Sequence, residues 1–107
     1  MTNALKIETF PYFFAIAKIR NPASINWKSP FVFVGKTDDE LSLVALESEV
    51  PSDAYPVDRG YRMMRVAGTL DMSLTGILAR ISKVLADEEI PIFAVSTYNT
   101  DYILVKS

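Results

Sequence analysis

The chain has 107 residues, half of them hydrophobic and 22% charged, which is enough apolar material for a core in one compact unit or two small subdomains. A formal net charge of −2 leaves no basic footprint for a phosphate backbone and argues against nucleic acid as a partner. With no Cys and no His, disulfides, thiolate nucleophiles and zinc-thiolate sites are excluded, and any catalysis would rest on carboxylates, Lys, Tyr or backbone dipoles. The sequence therefore points away from an enzyme.

Residues 1–10 hold Lys6 and Glu8 and no apolar run of signal-peptide length. The most apolar segment, residues 12–17, falls far short of the ~20 residues a membrane helix requires, so a cytoplasmic protein without a membrane partner is expected. Residues 12–19 are aromatic and β-branched between Pro11 and Asn21-Pro22 and read as a strand interior to a sheet. At most one helical turn fits in residues 21–29, where Trp27 is either a lid or a partner anchor. Residues 31–34 and 41–46 form a hairpin across the polar turn 36–40, and residues 47–60 read as a connection with a helical turn near Ser48. Residues 61–67 alternate as a strand, with Met63 and Met64 as core rather than cofactor contacts.

From Ser73 the period changes. Leu74, Ile77, Leu78, Ile81, Val84 and Leu85 form one apolar stripe of a helix, and Arg80, Lys83 and Asp87 take its outer face. Pro91 stops it after Asp87-Glu88-Glu89, the wrong sign for a helix C-terminus and without an evident compensating partner. Residues 93–97 and 102–105 are the last two strands.

The first hairpin slides onto the second by 61 positions (Pro30 onto Pro91), so that Val34 meets Val95, Glu40 meets Asp101, Leu43 meets Leu104 and Val44 meets Val105. Each hairpin follows a strand. The chain thus reads as two copies of strand–crossover–strand–strand, the first with its helix shrunk, and as an α+β fold with a mainly antiparallel sheet.

The first N–H groups of the long helix have no intrahelical acceptor, and the helix dipole adds roughly half a positive charge there. Gly76 removes a side chain where an anion would approach, so a carboxylate can dock on the amides of Thr75, Gly76 and Ile77. Asp71 is placed upstream to accept from an ammonium group, and Thr97 and Asp101 of the neighbouring hairpin complete such a site for a free amino acid. Plainer roles exist for each residue. Asp71 or Ser73 serves equally as a helix cap, Gly76 as a close-packing position, and Asn99 and Asp101 as turn formers. The acidic run Asp38-Asp39-Glu40 is better read as a solvated turn than as a metal cluster, so no metal and no cofactor is expected.

Residues 71–78, 85–86 and 92–105, from Asp71-Met72-Ser73 through Asn99-Thr100-Asp101 to Val105, resemble the ACT domain in its bacterial stand-alone tandem form. That branch is similar to the regulatory pair of aspartate kinases and to the animal cytosolic arginine sensors. Thr37-Asp38-Asp39-Glu40 looks like the matching signature in an N-terminal copy. The resemblance implies a ferredoxin-like βαββαβ fold, a degenerate N-terminal unit over residues 1–57, and a C-terminal unit over residues 58–107. It also implies side-by-side pairing into a homodimer and an amino acid bound where units pair. Carried over by motif, the contacts are Asp71, Ser73, Thr75, Gly76 and Ile77 with Thr97, Tyr98 and Asp101. Met72 departs from the usual aromatic and Glu89 from the usual glycine-like helix stop. The chain ends at Ser107, where the family continues into a second helix and a closing strand, so the C-terminal unit is expected to lack both. Two functions follow: a regulatory module that binds an amino acid, or a pairing module that takes no ligand and docks a partner protein.

Overall fold

The computed structural model describes residues 6–67 and 74–106, with the backbone alone for Lys6, Ala67, residues 74–78 and Ile81. The protein is small and mostly sheet, with seven strands and one α-helix among the described residues. It divides into two compact units, Tyr12–Tyr61 and Met1–Pro11 with Arg62–Ser107.

The first of these holds β2 (Phe14–Lys18), β3 (Val32–Lys36), β4 (Leu41–Leu46) and the opening residues of β5 (Val57–Ala67). β4 lies between β3 and β2, and β2 pairs on its other side with β5, all antiparallel. β2 is thus interior, as its two-faced apolar character requires. Alternation places Ala17, Leu43 and Val57 on one face, where they join Ile19, Ala45 and Ile25 in a buried cluster. Leu43 is 1% exposed, and burying such a side chain is worth about 1.5–3 kcal/mol.

Where a crossover helix would cover that face, the chain uses a single 3-10 turn, Pro22–Ser24. Asn21 starts it: its side-chain oxygen accepts from the Ala23 N–H at 2.9 Å, and Pro22 supplies a fixed φ at the first turn position. Ile25 then drops into the cluster, joined by Val50 and Ala54 from beyond a second 3-10 turn, Glu47–Glu49. Asn26 ties the two segments by donating to Glu49 Oε2 at 2.6 Å.

β5 begins at Val57, four residues ahead of the expected start at Tyr61. Asp58, Arg59 and Gly60 carry no strand pattern, but Val57 pairs with Ala17 and Asp58 with Ile16 before the ladder shifts register ahead of Tyr61, which pairs with Phe14. Gly60 has φ +86, which only glycine adopts freely, and its N–H donates to Glu47 Oε2 at 2.7 Å.

The other unit holds β1 (Lys6–Thr9), the end of β5, α1 (Leu74–Asp87), β6 (Ile92–Ser96) and β7 (Asp101–Lys106). β7 lies between β5 and β6. β1, which nothing in its side-chain pattern announces, pairs antiparallel with residues 64–67 of β5. Its Ile7, Glu8 and Thr9 are exposed, so backbone pairing makes this strand. Arg65 secures it, donating to Glu8 Oε1 at 2.7 Å and stacking over the Phe10 ring at 5.6 Å. Val66 and Ile103 are buried together, with Met64, Ile92 and Val105 packed around them.

Two expectations for α1 change. Val84 belongs to the expected apolar stripe yet is 63% exposed, whereas Leu85 beside it is half-buried. The acidic C-terminus does have a partner: Lys83 Nζ lies 3.2 Å from Asp87 Oδ2, an exposed i,i+4 pair. The helix ends on Glu89 at φ 57, with the Ile90 N–H donating to the Leu85 carbonyl and the Glu89 N–H to that of Ala86. That is a Schellman stop with glutamate in the left-handed position.

The two hairpins repeat, but not by 61 positions. β3 pairs with β4 so that Val34 faces Leu43, whereas Val95 faces Tyr102 rather than Leu104. The ladders and turns superpose on a shift of 60: the Thr37 N–H donates to the Glu40 carbonyl at 2.9 Å and that of Thr97 to Thr100 at 2.8 Å. Phe33 then meets Phe93 and Thr37 meets Thr97, while Asp101 stands where the first hairpin has Leu41. A slip of one residue exchanges the faces of a strand, and the 61-residue alignment had matched residues across opposite faces.

Candidate functional site

Asp101 opens β7 directly across from Ser96 of β6. Alternation puts it on the same face as Ile103 and Val105, the face on which Val66 is buried. Its residue exposure is 7%, and it is the buried acid among the described residues. No hydrogen bond or ion pair links its carboxylate to another described residue. A carboxylate on a largely covered residue, with no donor of its own, gains from a positively charged neighbour.

The turn preceding it is built by threonines. The Thr100 carbonyl accepts from both the N–H of Thr97, at 2.8 Å, and its hydroxyl, at 3.0 Å. Thr100 Oγ1 donates in turn to the Val66 carbonyl at 2.8 Å, fastening the turn to β5. Thr97 therefore shapes the turn with its hydroxyl, and Thr100, which sequence reasoning passed over, fixes where Asp101 begins. The signal available was the four-residue turn shared with Thr37–Glu40, visible only on the correct shift of 60.

Tyr98 stands at the tip of this turn and is fully exposed. Thr75, Gly76 and Ile77 fall in the first turn of α1, where N–H groups lack intrahelical acceptors. Asp71 and Ser73 lie outside the described residues. The hairpin thus brings together Thr97, Tyr98 and Asp101, and of these Asp101 alone is withdrawn from solvent.

On the opposite face of the same strands, Arg65 binds Glu8 and, next in strength, Tyr102, both of which push its guanidinium to a higher pKa. Among the described residues no group of acids, including Asp38, Asp39 and Glu40, is arranged to hold a metal ion. No helix among them is long and apolar enough to cross a membrane.

Residues 57–107 match the family model of the ACT domain. No curated protein matches the chain. Among solved structures, protein Atu0741 from Agobacterium tumefaciens is 33% identical, with a TM-score of 0.83 over 96% of this chain and 78% of that one. A protein of unknown function from Vibrio cholerae, VC0802, described as a possible transport protein, superposes with a TM-score of 0.71 at 13% identity, over 96% of this chain and 79% of that one. The second likeness is one of fold.

Proposed function

Because this chain belongs to the ACT domain family, whose members point to regulatory modules that bind small ligands, we propose that it is a non-enzymatic sensor of a small amino acid. The ligand is held where two ACT units pair in a homodimer. The carrying observation is that Asp101 is largely buried as a residue while its carboxylate makes no hydrogen bond or ion pair to another described residue, which suits an α-ammonium group. The amides of Thr75, Gly76 and Ile77 at the start of α1 suit the α-carboxylate, with Asp71, Ser73, Thr97 and Tyr98 completing the contacts. In this reading the Tyr12–Tyr61 unit is a degenerate ACT copy. Two features support that: its strand order repeats that of the other unit, and Pro22–Ser24 stands in the place of the crossover helix.

A panel of the twenty amino acids at millimolar concentration tests this by thermal shift. Ligand at ten times its Kd adds about 1.4 kcal/mol, which raises Tm by roughly 6 °C for a chain of this size. One or two amino acids are expected to give such a rise, and Asp101→Asn to remove it. A flat response in the native chain refutes the sensor reading and leaves a ligand-free pairing module.

A further inference from the structure

The two hairpin turns share a plan and differ in how they are fastened. In each, a threonine N–H closes the turn on the carbonyl three residues on, at 2.9 Å from Thr37 to Glu40 and 2.8 Å from Thr97 to Thr100. The first turn is then held from within: the Thr37 hydroxyl accepts from the N–H groups of Asp39 and Glu40, at 3.1 and 3.2 Å. The Glu40 carboxylate accepts from the Ser42 hydroxyl at 2.7 Å, two residues along, and has no proton to offer a neighbouring strand. In the second turn Thr100 takes the position of Glu40, and its hydroxyl donates across to the Val66 carbonyl of β5 at 2.8 Å. The residue that follows is Leu41 in the first hairpin and Asp101 in the second. The turn tied to the next strand is the one that leads into the acid.

We infer that Thr100 is a positioning residue of the amino-acid site, setting the affinity of Asp101 for an ammonium group by anchoring the turn to Val66. The inference rests on the sensor reading proposed above. Asp101 is the first residue of β7, so on its turn side nothing of the β6–β7 ladder holds it. Val66, in contrast, is 1% exposed and packs with Ile103 in the buried cluster, which makes its carbonyl a fixed point. The Thr100 carbonyl also takes both the N–H and the hydroxyl of Thr97, so the anchor reaches a second proposed contact. A charge-assisted hydrogen bond is short and directional, and a carboxylate that sways with its turn loses part of it.

The test uses Thr100→Val and Thr100→Ala, which remove the donor, and Thr100→Ser, which keeps it. The full chain and each variant are titrated by calorimetry with the twenty amino acids singly, and folding is followed by circular dichroism. For any amino acid that binds the native chain, Thr100→Val and Thr100→Ala should raise Kd about five- to tenfold, the equivalent of one hydrogen bond. Thr100→Ser should restore it to within about twofold. Without ligand, the Thr97 amide should exchange about fivefold faster in Thr100→Val, with the Thr37 amide unchanged as the internal control. A lower Tm with an unchanged Kd would overturn the inference, because the bond would then serve the fold alone. So would loss of folding in both donor-free variants, a Ser variant as weak as the Val variant, or an unchanged exchange rate at Thr97. Absence of binding to the native chain removes the sensor reading and this inference with it, an outcome distinct from binding that ignores Thr100.

Discussion

Replacing Glu89 by glycine should stabilise the chain. Glu89 holds φ 57, a conformation that costs a residue with a Cβ about 1–2 kcal/mol relative to glycine. Glycine returns about 0.5–1 kcal/mol of that through its greater freedom in the unfolded chain. Removing a negative charge from the end of α1 adds some tenths of a kcal/mol. The net gain is about 0.5–1 kcal/mol. With an unfolding entropy of roughly 2.1 cal/mol/K per residue, that corresponds to a Tm increase of about 2–4 °C. Glu89→Ala is the necessary companion: it removes the same charge but keeps the Cβ in the left-handed region, so it should gain only the electrostatic tenths. Urea and thermal melts followed by circular dichroism compare the three proteins. If Glu89→Gly proves no more stable than Glu89→Ala, the Schellman stop is not what ends the helix in solution.

Two further substitution and pH effects follow from burial and hydrogen bonding. Leu104 is 0% exposed and Val84 is 63% exposed; Leu104→Ala should cost about 2–5 kcal/mol in a chemical melt and Val84→Ala less than about 0.5 kcal/mol. Equal effects would mean that α1 packs differently from the described arrangement. The Tyr61 hydroxyl is pushed up to about 12, first by its hydrogen bond to Asp58, then by burial and by the charge of that carboxylate. Because its folded pKa lies above its unfolded value, this contribution is complete below pH 10 and lost between about pH 10 and 12. The loss should amount to about 1–2 kcal/mol. Tyr61→Phe should flatten that part of the stability profile, measured against the parent chain; an unchanged slope would remove Tyr61 as its source.

Most of the element list was legible because it rests on periodicity and punctuation. The strand around Ile16, the two hairpins and the helix stopped by Pro91 all follow from local pattern. What was not legible depends on partners far along the chain. β1 exists through pairing with residues 64–67, and the start of β5 through pairing with β2, neither of which leaves a mark on side-chain alternation. The repeat was seen but misaligned, since Leu43 onto Leu104 is an attractive match and only the ladder registers reveal the face exchange. At the candidate site, Asp101 was named from its motif, but its burial could not be inferred from a polar turn sequence. The role of Thr100 depends on the Val66 carbonyl, 34 residues away.

The placement of β1 carries a consequence for how the protein behaves in a crowded solution. Residues 64–67 would otherwise offer a row of unsatisfied amides and carbonyls to any extended peptide, a template for runaway strand addition. A short strand of exposed, partly charged residues, locked by Arg65 through Glu8 and Phe10, occupies that row with the chain's own backbone. The segment Lys6–Thr9 thereby acts as a guard against aggregation, a task that demands little of its side chains beyond charge and the neighbouring ring of Phe10.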